Sequence, residues 1–222
     1  MKMLIFLFYI IKDTFTDRKD KNTFKEYGLT LFCGRQGSGK TTGMVWYLNK
    51  MREKYPDVII VTNFGYVHQD YTLNSWRDLT TIRNGTKGVI FAIDEIQNEF
   101  SSTEWQKFPA FLLSEITQQR KQRVKIVGTS QVFTRVAKQI REQTYEVVEC
   151  LTLKGRWTFL KAFDAERYNR VIDNPDKKLD LKRVWRANFL QDTAIRSSFD
   201  SYYKIQKVTQ TEFRENNLNK AL

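Results

Sequence analysis

Histidine, cysteine, glycine and proline are all scarce in this chain of 222 residues, which contains 1 His, 2 Cys, 10 Gly and 3 Pro. With a single histidine and no cysteine cluster, the sequence offers neither a zinc-ligand set nor a Ser-His-Asp arrangement. The low glycine and proline content argues against a loop-dominated or repeat architecture. His68 lies in a polar segment and is expected to be exposed.

The two cysteines, Cys33 and Cys150, both lie in apolar runs that resemble strands. We expect each to be a buried structural thiol rather than half of a disulfide or a metal ligand. A reducing cytoplasmic compartment fits this usage best.

The sequence also lacks an apolar run long enough to span a membrane. Its longest run, Met3–Ile11 (MLIFLFYII), is well short of the about 20 residues of a spanning helix, and no small-residue cleavage site follows it. The run fits an additional β-strand, a helix that covers an exposed core face, a subunit contact or an interfacial anchor, and we favour packing or contact over membrane attachment. The charged residues 13–25 predict a polar linker.

Negative charge is under-represented, because 37 Lys and Arg stand against 25 Asp and Glu, a formal net charge of +12. Between residues 117 and 143 there are seven basic residues against Glu142 alone, so this stretch carries a net +6, half of the total. A basic surface of this kind attracts polyanions such as nucleic acid, although a solvated face that keeps the protein in solution is the alternative. The basic residues of the stretch are Arg120, Lys121, Arg123, Lys125, Arg135, Lys138 and Arg141.

A phosphate-binding loop is the clearest motif that is present. The residues GRQGSGKT at 34–41 match G-x-x-x-x-G-K-[ST], after an apolar strand-like run at Leu29–Cys33 and before a predicted helix at Thr42–Lys54. Backbone N–H groups of such a loop converge on phosphates, while Lys40 reaches the β- and γ-phosphates and Thr41 ligates Mg²⁺. The predicted nucleotide contacts are Gly34, Arg35, Gln36, Gly37, Ser38, Gly39, Lys40, Thr41 and Thr42.

The second half of the predicted site follows another apolar strand. Val89–Ile93 is followed at once by Asp94 and Glu95, which is the Walker B arrangement, and the run Val58–Val61 predicts a parallel strand in between. Asp94 would hold Mg²⁺ together with Thr41. Glu95 is the predicted general base for water attack on the γ-phosphate, with a surface carboxylate that caps the next helix as the alternative. ATP and Mg²⁺ are therefore the expected cofactors.

Further strands complete an α/β fold with a mainly parallel sheet flanked by helices. Val124–Gly128 predicts a strand whose end brings Gln131, or alternatively Ser130, beside the γ-phosphate as a catalytic group. Tyr145–Leu151 and Trp157–Ala162 predict an antiparallel C-terminal hairpin that turns at Lys154-Gly155. Shorter helices are expected near Trp76–Leu79 and over Phe108–Arg120. We divide the chain into residues 1–26 (apolar segment and linker), 27–163 (ATPase domain) and 164–222 (a basic extension, helical or partly disordered).

The motifs together resemble the FtsK–HerA branch of RecA-like P-loop ATPases. Within that branch the chain is similar to the zonular-occludens-toxin-type assembly ATPases of filamentous phages and to viral genome-packaging ATPases. The resemblance covers Tyr27–Phe163. It depends on GRQGSGKT at 34–41, Thr62-Asn63, VIFAIDEIQ at 89–97, and KIVGTSQ with VAKQIREQT between 125 and 144.

The resemblance implies an ATP-hydrolysing motor that moves nucleic acid, most simply DNA, during virion assembly. It also implies a homo-oligomeric ring, usually a hexamer, in which a neighbouring subunit supplies an arginine; the candidates are Arg120, Arg123, Arg135 and Arg141. Capsid or membrane assembly proteins would be the partners. The location would be the host cytoplasm, with peripheral membrane attachment or association with the virion left open.

One departure from the phage pattern bears on which motor this is. Assembly ATPases of that type usually carry a membrane-spanning segment after the ATPase domain, whereas nothing between Phe163 and Leu222 is apolar enough for one. A packaging motor that loads a preformed capsid is therefore as consistent with the sequence as an exporter. Two other functions stay open: a nucleotide-gated interaction module without translocation, and a small-molecule kinase, which explains neither Glu95 nor the charge.

Overall fold

The protein is described by a computed structural model that covers residues 2–19, 23–75, 77–99, 119–172, 176 and 180–200. The predicted helix over Phe108–Arg120 falls mostly outside these residues. The helices are α1 (Lys2–Lys19), α2 (Lys40–Lys54), α3 (Asp78–Thr81), α4 (Ile96–Glu99), α5 (Gln119–Gln122), α6 (Lys138–Gln143), α7 (Ala165–Val171) and α8 (Thr193–Ser197). The strands are β1 (Gly28–Cys33), β2 (Ile59–Thr62), β3 (Tyr71–Thr72), β4 (Val89–Ile93), β5 (Val124–Ser130), β6 (Thr144–Leu153), β7 (Trp157–Asp164) and β8 (Trp185–Leu190).

The described strands form one sheet in the order β3-β2-β4-β5-β1-β6-β7-β8. The strands from β3 to β6 pair in parallel, and β6, β7 and β8 pair antiparallel. The predicted α/β class with a mainly parallel sheet is confirmed. The loop strand β1 lies between β5 and β6, and β4 lies next to β5, so the ends of the motif-bearing strands meet at one edge.

Two apolar layers cover the two faces of the sheet, and alternation along the strands assigns residues to each. In β1, Leu29 and Leu31 belong to one buried cluster and Phe32 to the other. Helix α2 packs on the Phe32 face through Met44 and Leu48, which are fully buried. The whole of β4 is buried, as expected for a parallel strand with both faces covered. This rigid centre fixes the positions of the loops at the strand ends.

The antiparallel edge is larger than the sequence indicated. The hairpin of β6 and β7 turns at Lys154-Gly155 as predicted, and both residues have positive φ. The segment 164–222 was expected to be helical or partly disordered, but Trp185–Leu190 adds an eighth strand beside β7. Its side chains alternate between half-buried and exposed. One face of this edge strand therefore packs on the protein, and the other faces solvent. Basic residues within and before this strand obscure the apolar-polar alternation by which a strand is predicted from sequence.

The apolar N-terminal run forms a helix, so the strand interpretation is wrong. Helix α1 continues to Lys19, into the segment that we expected to be a linker. The side chains of Met3–Ile11 are 44–76% exposed, so this run does not cover the core of the described structure. Among the described residues, no helix combines the length and the hydrophobicity that crossing a bilayer requires.

Candidate active site

The phosphate-binding loop connects β1 to α2 at the carboxyl edge of the sheet. Its turn is closed by the amide of Ser38, which donates to the Arg35 carbonyl at 3.1 Å. The first hydrogen bond of α2 runs from the Gly43 amide to the Gly39 carbonyl at 2.7 Å. Because a helix leaves its earliest amides without acceptors, those of Lys40, Thr41 and Thr42 are free to bind an anion.

Glycine is required in this loop by geometry at Gly39, the residue that precedes α2. Its φ is +82°, a left-handed conformation that side chains disfavour. A Cβ atom there would also overlap the hydroxyl of Thr152 on β6. That hydroxyl donates to the Ser38 carbonyl at 2.9 Å. The loop therefore packs against β6, in the antiparallel part of the sheet.

Two polar side chains of the loop fit a bound triphosphate. The Lys40 ammonium is buried and donates to the Arg35 carbonyl at 3.1 Å, which holds a positive charge inside the loop. The Ser38 hydroxyl is buried and makes no hydrogen bond within the described residues. A buried donor without an acceptor and an adjacent buried cation are the arrangement that an anionic group would satisfy.

Asp94 and Thr41, which come from different motifs, are in direct contact. The Thr41 hydroxyl donates to Asp94 Oδ1 at 3.0 Å across 53 positions of sequence. A hydroxyl and a carboxylate held together are ligands that suit Mg²⁺ when phosphate oxygens and water supply the others. The two residues predicted to hold the metal thus lie in contact with each other, and their oxygen atoms fit a Mg²⁺ site.

Two residues that the sequence did not assign to the site hold Asp94 in place. The Thr129 hydroxyl donates to Asp94 Oδ1 at 2.6 Å, and the Asn63 side chain accepts from the Asp94 amide at 2.8 Å. Thr129 is at the end of β5 and Asn63 directly follows β2, the two neighbours of β4. The available signal was the rule that polar residues ending adjacent parallel strands meet at one edge.

Glu95, the predicted base, has a strained backbone. Its φ is +50°, which is uncommon for a residue with a side chain and costs about 1 kcal/mol or more. The Glu95 amide donates to the Thr129 hydroxyl at 2.9 Å, and its carboxylate accepts from the Asn98 side chain at 2.7 Å. Thr129 therefore holds the Asp94 carboxylate and the Glu95 backbone, and the half-exposed Glu95 carboxylate remains accessible to water.

Gln131 follows β5 beside the start of the loop, since Ser130 pairs with Cys33 and its carbonyl accepts from the Gly34 amide at 3.3 Å. Ser130, the alternative, is fully buried and its hydroxyl donates to the Val132 carbonyl. Gln131 is half-exposed. It is thus the better of the two candidates for a γ-phosphate contact, and its catalytic role stays a prediction.

The candidate arginines lie at two ends of the sheet. Arg120 and Arg123 precede β5, where they contact the Tyr27 ring and the Phe24 carbonyl respectively. Arg141 lies just before β6 at the same end and donates to the Asn169 side chain. Arg135 alone of the four follows β5, at the carboxyl end beside Gln131, and it is exposed.

Lys125 was wrongly included in the basic surface. It lies in the middle strand β5 with 5% of its surface exposed, and it donates to the Tyr27 carbonyl and the Thr30 hydroxyl. Burial lowers the pKa of Lys125, although Glu146 and Glu26 favour its charged form. Lys125 is buried because of its place in the sheet, which a count of charges along the sequence does not reveal.

Both cysteines are buried thiols outside any disulfide, as predicted. Burial raises the pKa of the Cys150 thiol well above its ordinary value. The thiolate, which is the reactive form, is therefore suppressed beside the loop. His68 is exposed, as expected.

Comparison with known proteins identifies relatives of this arrangement. Residues 59–185, more than half of the chain, match the family model of zonular occludens toxin (Zot). The matched span includes the Asp94 strand and begins after the phosphate-binding loop. No curated protein matches the sequence.

One solved structure of this family has the same fold, and a second shows weaker similarity. The N-terminal domain of zonular occludens toxin from Neisseria meningitidis has a TM-score of 0.57 and 16% identity, covering 78% of this chain and 99% of that one. The genome packaging NTPase B204 from Sulfolobus turreted icosahedral virus 2, in complex with AMPPCP, has a TM-score of 0.45 and 11% identity, covering 63% of this chain and 93% of that one.

Proposed function

The chain belongs to the zonular occludens toxin (Zot) family, and from this premise we propose that it is an ATP-hydrolysing motor that moves nucleic acid during virion assembly. The observation that carries the proposal is the 3.0 Å hydrogen bond between Thr41 and Asp94. It joins a phosphate-binding loop to a Walker B carboxylate, with Glu95 next to it. A site that only held a nucleotide would not need a second carboxylate there.

The proposed roles follow from position. The α2 amides and Lys40 bind the phosphates, Thr41 and Asp94 hold Mg²⁺, and Glu95 takes a proton from the attacking water. Bound Mg²⁺ would neutralise charge on the β- and γ-phosphates. Gln131 would orient the water, and we assign the arginine from a neighbouring subunit to Arg135.

Nucleic acid, most simply DNA, is the proposed cargo because of the charge distribution. Arg120 and Lys121 before β5, and Arg135 after it, are exposed, as is Lys138 at the start of α6. The two ends of β5 are separated by about 20 Å of strand. A ring of such subunits would present positive charge at two levels, which suits a strand that passes through it. Packaging into a capsid and export remain alternative settings, and a location in the host cytoplasm is part of the proposal.

Hydrolysis is tested with Glu95→Gln. We expect the wild type to hydrolyse ATP, and this variant to lose turnover by about 100-fold or more while it binds ATP with unchanged affinity, because the amide cannot take the proton. Lys40→Ala, the control for binding, should lose both. Wild-type protein that shows no turnover, with or without DNA, would contradict the proposal.

A second function, a nucleotide-gated interaction module, is favoured by one observation. The Met3–Ile11 part of α1 exposes apolar side chains on all its sides. In that case ATP would bind tightly, with no turnover, and would order a surface for a membrane or protein partner. Steady-state hydrolysis assays on the intact chain separate the two functions.

A further inference from the structure

The phosphate-binding loop borders a cleft of about 350 Å³ whose other wall comes from the C-terminal part of the chain. We define residues 191–199, which follow β8 and include α8, as the strap. On the loop side the cleft is lined by Gly37, Gly39 and the first residues of α2, and on the strap side by Arg196 and Phe199. None of the motifs identified in the sequence includes the strap.

The strap is fixed at both of its ends. At its start the Gln191 amide donates to the Arg156 carbonyl at 2.7 Å, and its side chain donates to the Thr158 hydroxyl at 2.8 Å. In the middle, Ile195 is buried in the core cluster that includes α2. At its end the Val67 amide donates to the Ser198 carbonyl at 2.9 Å. The strap therefore crosses α2 in a defined position.

Hydrogen bonds connect the strap to the loop. The Ser38 carbonyl accepts from Thr152, the Thr152 hydroxyl is 2.8 Å from that of Thr158, and Gln191 donates to Thr158. The Arg196 guanidinium donates to the side chain of Gln191 and to the Gly155 carbonyl. A guanidinium has five N–H donors, so this one retains donors for a ligand.

The sheet order gives the direction of a bound nucleotide. Asp94, Glu95 and Gln131 extend from β4 and β5, on one side of β1, while β6, β7 and β8 lie on the other side. The γ-phosphate has to lie beside the carboxylates, so the nucleoside end points away from them. The cleft below the strap lies on that side.

We propose that the strap is the nucleoside-binding wall of the active site, with the half-buried Phe199 ring packing on the base and Arg196 donating to the ribose. The inference rests on the proposed function. Ring stacking accepts any base, and the Gln191 amide is already engaged by Thr158 and Arg196. The strap therefore distinguishes a nucleoside triphosphate from bare triphosphate and reads base identity weakly.

The test compares ATP with inorganic tripolyphosphate by calorimetric titration of the full chain in the presence of Mg²⁺. Arg196→Ala and Phe199→Ala should each weaken ATP binding about tenfold, while tripolyphosphate binding stays within about twofold. Arg186→Ala, which removes an exposed arginine of β8, is the matched control and should change neither. The Phe199 ring packs edge-on against the Phe64 ring. Phe199→Leu, which keeps an apolar side chain there, replaces Phe199→Ala if that variant does not fold.

The remaining outcomes overturn either the strap inference alone or the proposed function as well. Unchanged ATP affinity in the strap variants, or equal losses for both ligands, would overturn the strap inference and leave the proposed function standing. Wild-type protein that binds neither ligand would overturn the proposed function itself, and the inference with it.

Discussion

Asp94 Oδ1 accepts hydrogen bonds from Thr41 and Thr129, so its orientation is fixed before any metal binds. The sequence predicted Asp94, Glu95 and Thr41 because each lies within or directly after a recognisable motif. It did not predict Thr129 or Asn63 as site residues, since a threonine or asparagine after a strand is ordinary until the strand order is known.

We predict that Thr129→Val lowers the ATP turnover number by about 10- to 100-fold, because it removes the hydroxyl that holds the Asp94 carboxylate and the Glu95 backbone while keeping the side-chain shape. The half-saturating Mg²⁺ concentration should rise as well. Steady-state kinetics across a Mg²⁺ titration measures both. Thr134→Val, at an exposed position of the next turn, should behave like the wild type; equal kinetics in the two variants would refute a positioning role.

At the scale of elements, the central strands and the β6-β7 hairpin were predictable, and the two outermost strands, β3 and β8, were not. Buried parallel strands appear as continuous apolar runs, and the bounds of β4 agree with the prediction. Strand β8 is one-sided and interrupted by Arg186 and Asn188, so its signal was lost among polar residues. The position of β8, and of the strap that follows it, depends on the pairing of β8 with β7. No local sequence pattern predicts that pairing.

The turn between β1 and α2 gives a prediction at this scale. Gly39→Ala and Gly85→Ala both introduce a Cβ at positive φ and should each cost about 1 kcal/mol or more of stability in urea denaturation. A Cβ at residue 85 has no atom within 4 Å, whereas at residue 39 it meets Thr152. We therefore expect only Gly39→Ala to lose ATP binding. ATP binding that survives at residue 39 would show that the loop geometry is less restrictive than described.

At the scale of the whole molecule, net charge predicted a polyanion partner but not the distribution of that charge. Lys125 is buried and Arg123 is bound to the Phe24 carbonyl. Fewer basic residues of the stretch are therefore available at the surface than the seven in the sequence. The same structure leaves Arg135 as the candidate arginine nearest the nucleotide edge. A subunit-bridging role for it requires a ring.

Mixing two inactive variants tests this role. Arg135→Ala should retain ATP binding and lose turnover, and Lys40→Ala should lose binding. If Arg135 acts on the neighbouring subunit, mixed oligomers contain interfaces with an intact Lys40 and an intact Arg135, and turnover should partly return. Mixtures that stay inactive, although the subunits exchange, would assign Arg135 to its own active site or to none.

The central claim is that ATP hydrolysis is coupled to nucleic acid. The most direct measurement is the steady-state ATP turnover of the full chain with and without double-stranded DNA, over a series of salt concentrations. We predict that DNA raises turnover severalfold, that this stimulation declines as salt rises, and that Glu95→Gln binds DNA without turnover. An equal rate of ATP hydrolysis with and without DNA at low salt would contradict the account.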